Sequence, residues 1–155
     1  MKKCLKSLAL VMAILLMTGC GADKETVKKC TLVSNNAAQG YKLESEYNVY
    51  SKGDVVSKVV TKEVVTSDNE SILTYFEDYL TQTYNATNET YGGYTNKVTN
   101  EDGKVVSETT IDYNKMDLEQ YVKDNSVMKS YVNSDNELLT EGVIKVYEQL
   151  GATCE

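Results

Sequence analysis

The chain has no His, Arg, Trp or Pro, and Phe76 is its one phenylalanine. Without His, the Ser–His–acid and Cys–His arrangements that activate a nucleophile cannot be assembled. A Gly-rich phosphate loop, an HExxH pair and an EF-hand loop are all missing. No CxxC occurs, and no third soft ligand lies near a cysteine, which weighs against a metal or thiol-redox site. No apolar run reaches the ~20 residues that a bilayer-crossing helix needs. Lys without Arg, beside many Asn and Tyr, is what AT-rich codons produce and says nothing about mechanism. A non-enzymatic role without a cofactor is therefore expected.

What is present begins with charge. A chain of 155 residues has room for one domain and a targeting segment. A domain of that size buries enough apolar surface to fold unaided by a metal. The formal charge is −7, yet Lys2, Lys3 and Lys6 sit in a leader without acidic residues. Removing them leaves 13 Lys against 23 Asp and Glu, or −10. Such a surface repels phosphate backbones, so nucleic acid is not an expected partner. Anionic wall polymers and bare anionic lipid headgroups are disfavoured for the same reason. Cations and basic peptides stay admissible, and simple solubility is the competing explanation.

The leader reads "MKKCLKSLALVMAILLMTGC". Its three lysines form a positive n-region, Leu8–Met17 an apolar h-region, and Thr18-Gly19 a small-residue step before Cys20. The motif resembles a bacterial lipobox, whose cysteine is alkylated with diacylglycerol and then becomes the new N-terminus. Met17 stands where Leu is usual. Two acyl chains hold a protein on a membrane where one does so only marginally. The competing readings are an uncleaved anchor and an ordinary secretory leader with a coincidental cysteine. Expected boundaries are a signal peptide at 1–19, a lipidated flexible tether at 20–29 and one domain at 30–155. The expected location is the outer side of the cell membrane.

Cys4 is discarded with the leader, which leaves Cys30 and Cys154. Outside the cytoplasm an even pair favours a disulfide. Closing so long a loop stabilises a fold by roughly 3–5 kcal/mol in the chain-entropy picture. A thiol-redox or other envelope enzyme acting through this pair is the alternative.

Strand-like alternation runs from Gln39 to Thr66. In "YKLESEYNVY" Tyr41, Leu43, Tyr47 and Val49 share a face, and Gly53 supplies a turn. In the returning "VVSKVVTKEVVT", Val56, Val60 and Val64 compete with Val55, Val59 and Val65 for the buried side. A short strand near Thr31–Ser34 precedes this hairpin. "SDNE" at Ser67–Glu70 reads as a capping box. The helix after it has Ile72, Leu73, Phe76, Tyr79, Leu80 and Tyr84 on one side. It ends before Gly92-Gly93. A second hairpin turns at "NEDG", and a short helix lies near Asp117–Lys123. "SDNE" recurs at Ser134–Glu137 and is expected to open a last helix with Leu139, Val143, Val146 and Leu150 as its stripe. Gly151 suits its C-terminal cap. "GDVVS" and "GKVVS", each in a hairpin leading to a helix, hint at ββα duplication.

"VYSKGDVVSKVVTKEVVT", "GGYTNKVTNEDGKVVSETTIDYNKMDLEQ" and "VIKVYEQLGATCE" resemble the YehR-like family of small bacterial lipoproteins. The resemblance implies a two-layer fold with an antiparallel sheet, and it implies no activity or ligand residues. From the pattern alone the expected class is likewise α+β. It has about five antiparallel strands in two hairpins, with helices packed on one face.

"NEDGK" and the two "SDNE" stretches offer oxygen ligands, but a turn or a cap accounts for each. Asn85 and Asn88 match glycosylation sequons that a bacterial lipoprotein is expected to leave unmodified. Twelve tyrosines remain. Clustered on an exposed sheet face they would grip a peptide or stack on sugars; dispersed, they replace the missing Phe and Trp in the core. The expectation is a non-catalytic binding or interaction module. It would be anchored through diacylglycerol on Cys20, and its ligand would be an envelope protein, a peptide or a small molecule.

Overall fold

The computed structural model describes residues 24–155. Among them, strands β1 (Glu25–Asn36), β2 (Tyr41–Lys52), β3 (Val55–Thr66), β4 (Tyr94–Glu101), β5 (Lys104–Asp112) and β6 (Thr153–Cys154) form one sheet. The order is β4-β5-β3-β2-β1-β6, with every pairing antiparallel. Helices α1 (Glu70–Tyr91), α2 (Leu118–Asp124) and α3 (Thr140–Gln149) lie over one face, completing the α+β two-layer architecture.

Two of the three hairpin turns follow from local chemistry. Asp102 and Gly103, at φ 53° and 73°, make the two-residue turn between β4 and β5. Two successive positive φ values match the right-handed twist of the flanking strands. Gly53, at φ 58°, opens the turn between β2 and β3.

The competition between the two valine sets on β3 ends in a split. Val59 and Val65 are buried, and so is Val56 from the opposite set. The pairing shifts between Tyr50 and Ser51, so that Tyr50 faces Lys58 while Ser51 faces Val56. The extra residue, Ser57, reverses the alternation at that point. Its freed carbonyl accepts from Tyr113 N at 3.0 Å, which ties the end of β5 to the bulge.

Three sequence expectations need correction. First, β1 begins at Glu25, inside the stretch expected to be tether, and pairs with β2 along its whole length. Residues 25–29 are exposed, so no apolar alternation marked them as strand. Second, the "SDNE" at Ser134–Glu137 opens no helix. Asn133 Oδ1 accepts from Asp135 N and Glu137 N, and Asn136 takes φ 62°, which makes a tight turn. α3 starts only at Thr140 and buries Val143, Ile144 and Tyr147; Leu150 is exposed. Third, the cap of α1 is Asn69 rather than Ser67. Asn69 Oδ1 accepts from Ser71 N at 3.0 Å.

The core divides in two. The larger cluster, under α3 and α2, joins Cys30, Tyr47, Val49, Val59, Leu138 and Val143 to their neighbours. Tyr47 stacks on Tyr147 with ring centroids 4.1 Å apart. Gly142 lets α3 approach Tyr131, whose side chain would overlap a Cβ placed there. The smaller cluster lies under α1 and consists of Val65, Leu73, Leu80 and Val105.

The tandem hairpins meet at the centre of the sheet. β3 pairs antiparallel with β5, setting Val65 opposite Val105 and Thr61 opposite Thr109. The helices that follow them differ greatly, with 22 residues in α1 and 7 in α2.

Candidate functional site

The N-terminal half of α1 is held against the loop between β1 and β2. Ser67 Oγ donates to Gly40 O at 2.6 Å and accepts from Asn69 N at 3.1 Å. Gly40 takes φ 79°, and a Cβ there would stand 3.4 Å from Ile72 Cδ1. Tyr41, the first residue of β2, meets Phe76 edge-on at 4.8 Å. These contacts use the inner side of the helix and leave its outer flank open.

A groove of about 590 Å³ runs along that flank, walled by Tyr41, Ile72, Tyr75, Phe76 and Tyr79. Gln39 and Ser71 add polar groups. Tyr75 and Tyr79, one helical turn apart, are stacked with centroids 6.0 Å apart and planes at 12°. They are 62% and 51% exposed, although Tyr79 was expected on the buried stripe. The helical period placed Tyr79 near the edge of that stripe, and it faces the open groove beside Tyr41 rather than the core under α1. Tyr75 and Tyr41 carried no functional signal in the sequence. Their proximity arises only when the β1–β2 loop docks on α1.

The open face of the sheet is different in character. One row across it reads Glu46, Lys62, Glu108 and Lys97 on adjacent strands, alternating in sign. Lys29 also reaches Glu46 at 2.7 Å. Of the strand tyrosines, Tyr50 lies on this face, with Lys58 Nζ 4.3 Å from its ring centre. The aromatic cluster therefore belongs to a helix and not to the sheet face considered from sequence.

Beneath α1 a second arrangement crosses the covered face. Ser45, Glu63 and Ser107 lie side by side on β2, β3 and β5, and Tyr47, Thr61, Thr109 and Asn96 form the next row. Tyr84 of α1 donates its hydroxyl to Glu63 Oε2 at 2.7 Å. Asn96 Oδ1 accepts from Ser107 Oγ at 2.9 Å and from Thr109 Oγ1 at 2.8 Å. Ser45 Oγ is buried and has no partner among the described residues. Burial pushes the Glu63 carboxyl above the usual carboxylate range, partly opposed by the Tyr84 hydrogen bond. Burial, reinforced by the nearby Glu63 charge, likewise raises Tyr84 and keeps its phenol protonated as the donor.

Other tyrosines replace core aromatics. Tyr113 and Tyr147 are buried, and desolvation raises both. Tyr91, near the surface, donates its hydroxyl to Asp124 Oδ2, 3.2 Å away.

Cys30 and Cys154 are directly opposed on β1 and β6 and are joined by a disulfide. Lys29 and Glu155 exchange backbone hydrogen bonds beside it, at 3.2 and 2.9 Å. Cys20 and the leader lie outside the described residues. Asn88, one of the sequon asparagines, accepts from Tyr94 N at 3.0 Å and so joins the end of α1 to β4. Among the described residues no group of three or more His, Cys, Asp and Glu is placed to hold a metal ion. No helix among them is long and apolar enough to cross a membrane.

This architecture is similar to that of the YehR protein of E. coli, solved by NMR. The TM-score is 0.56 at 18% identity, over 85% of this chain and 91% of that one. A protein from Streptococcus pneumoniae TIGR4, also solved by NMR, aligns with a TM-score of 0.50 at 12% identity, over 100% and 96% of the two chains. At such identities the likeness speaks for the fold, which is YehR-like. No protein-family model matches the chain, and no curated protein does.

Proposed function

We propose that the protein is a YehR-like lipoprotein of the bacterial envelope. It would be held on the outer side of the membrane by diacylglycerol on Cys20 and serve as a non-catalytic binding module. The observation that carries the binding role is the open groove beside α1, where Tyr75 and Tyr79 stack in solvent. Exposed stacked aromatics contribute little to folding, and large exposed apolar surface on a small domain usually marks an interaction site. The anchor rests on the leader: a positive n-region, an h-region shorter than a membrane span, and Gly19 before Cys20.

A thiol-redox role for Cys30 and Cys154 draws no support from their placement. Cys30 is fully buried between strands and Cys154 is partly buried on the edge strand, so the bridge is built into the sheet pairing rather than presented in an open cleft.

Photo-crosslinking in cells, read by mass spectrometry, tests the binding role. A specific envelope partner should be recovered by the native chain and lost from a Tyr75→Ala/Tyr79→Ala variant. An unchanged crosslink pattern in that variant removes the groove from the account. Metabolic labelling with palmitate tests the anchor. Label should enter the native chain and be absent from Cys20→Ser; an unlabelled native chain defeats the lipoprotein assignment.

A further inference from the structure

We infer that the groove beside α1 takes a basic peptide segment, with a lysine or arginine side chain of the partner laid against Tyr75 and Tyr79. This rests on the reading of the protein as a binding module and names the chemistry of its partner.

The charge around the groove is one-sided. α1 spans Glu70–Tyr91 and carries Glu70, Glu77, Asp78 and Glu89 without a single lysine. Glu77 is engaged by Asn100 Nδ2 at 2.9 Å. Asp78 and Glu70 are exposed, and Asp78 adjoins Tyr79 in the chain. Asp68 lines an adjoining depression of about 270 Å³ that shares Tyr41 with the groove. No basic side chain lines either space. The amino end of α1 contributes about half a positive charge, which fades within its first turn. Tyr75 and Tyr79 lie beyond that turn.

Elsewhere the protein supplies its own cations. The depression of about 480 Å³ beside α3 contains Lys28 and Lys145 together with Glu141 and Glu148. Lys145 is paired with Glu141 at 2.6 Å. The open sheet face carries its alternating row of Glu and Lys. Tyrosine faces are used in the same way: Lys58 stands over Tyr50 at 4.3 Å and Lys145 over Tyr131 at 5.3 Å. Among the described residues, no lysine stands over Tyr75 or Tyr79 in this way. These rings present negative π faces and acidic neighbours to solvent, the complement of an ammonium or guanidinium group. No carboxylate lines the groove itself, but an acidic partner would meet repulsion from Asp68 and Asp78 beside it, and a basic one would meet attraction.

Fluorescence anisotropy with the purified full-length protein in detergent micelles tests this. The probe is a fluorescein-labelled octapeptide of alternating lysine and glycine, and its counterpart has glutamine in place of lysine. Saturable, salt-sensitive binding of the lysine peptide is expected, with none of comparable strength for the glutamine peptide. Each tyrosine contributes roughly two- to fivefold, so Tyr75→Ala/Tyr79→Ala weakens binding by about fivefold or more. Asp78→Asn, which leaves the rings in place, weakens it by about twofold or more, and the remote Glu148→Gln leaves it unchanged. Full affinity in the double variant means that the peptide follows overall acidity, and the inference falls. Equal binding of the glutamine peptide, or no binding of either, overturns it as well. None of these results touches the binding-module reading, which fails separately if the native chain recovers no specific envelope partner in the in-cell crosslinking.

Discussion

The α3 side and the α1 side of the covered sheet face are built on different principles. Under α3, thirteen buried residues form one continuous cluster, and the β1–β6 disulfide closes its margin. Under α1, four buried apolar residues suffice, beside a band of hydroxyls and a half-buried carboxylate. The first side is anchored by apolar area and a covalent link. The second is anchored by directional contacts: the Asn69 cap, the Ser67–Gly40 link and the Tyr84–Glu63 hydrogen bond. Hydrogen bonds of this kind contribute about 1 kcal/mol each. α1 is thereby positioned without being buried all round, and its outer rings stay free for a partner.

The largest test of this contrast is removal of the disulfide. Cys30→Ser/Cys154→Ser should cost about 3–5 kcal/mol, read as a lower melting temperature. Most of the lost hydrogen-exchange protection should fall on β1, β6 and α3. Loss of equal size at α1 would show that the two sides unfold as one unit.

Core truncation sharpens the comparison. Leu138→Ala, at a site 1% exposed in the larger cluster, should cost about 3–4 kcal/mol by denaturant titration. Leu80→Ala on α1, where the side chain is 8% exposed, should cost closer to 2 kcal/mol.

Glu63 gives a smaller effect of opposite sign. Burial raises its carboxyl in the folded state, so the folded protein holds that proton more tightly than the unfolded chain. Both states are protonated below the unfolded value, and there the group costs nothing. As pH rises through the unfolded and then the folded value, stability is progressively lost. Glu63→Gln keeps an acceptor for Tyr84 and removes the ionisation. At pH 8 it should raise the melting temperature by roughly 2–4 °C, as about 1 kcal/mol does in a domain of this size. The gain should shrink toward zero near pH 4. A gain independent of pH would mean that ionisation is not its source.

The smallest effect on folding belongs to the groove. Tyr75→Ala/Tyr79→Ala should shift stability by no more than about 0.5 kcal/mol, while binding changes severalfold. A large loss of stability would make these rings part of the core.

Much of the framework was legible because its causes are local. The turn at Asp102-Gly103, the short helix after Asp117, Gly92 ending α1 and Gly151 after α3 all follow from the conformational freedom or side-chain hydrogen bonding of single residues. Elsewhere the same local signal was ambiguous. "SDNE" precedes α1 in one copy and closes a turn in the other, because an Asx side chain caps a helix or a turn equally well. β1 was underestimated because its first residues bury nothing, so hydrophobic alternation had no reason to appear there. The β3 bulge escaped as well. One inserted residue changes which valines are buried while leaving the composition intact.

Sequence alone determined the α+β class, two of the three hairpins, the cysteine pair available for bridging and the acidity of the surface, since these depend on residue type and short-range spacing. Tertiary packing decided which face of β3 turned inward, how a carboxylate came to lie beneath a helix, and which two of twelve tyrosines were left stacked in solvent. Those outcomes depend on strand register and on where a distant loop docks, and neither is encoded in the neighbours of any one residue.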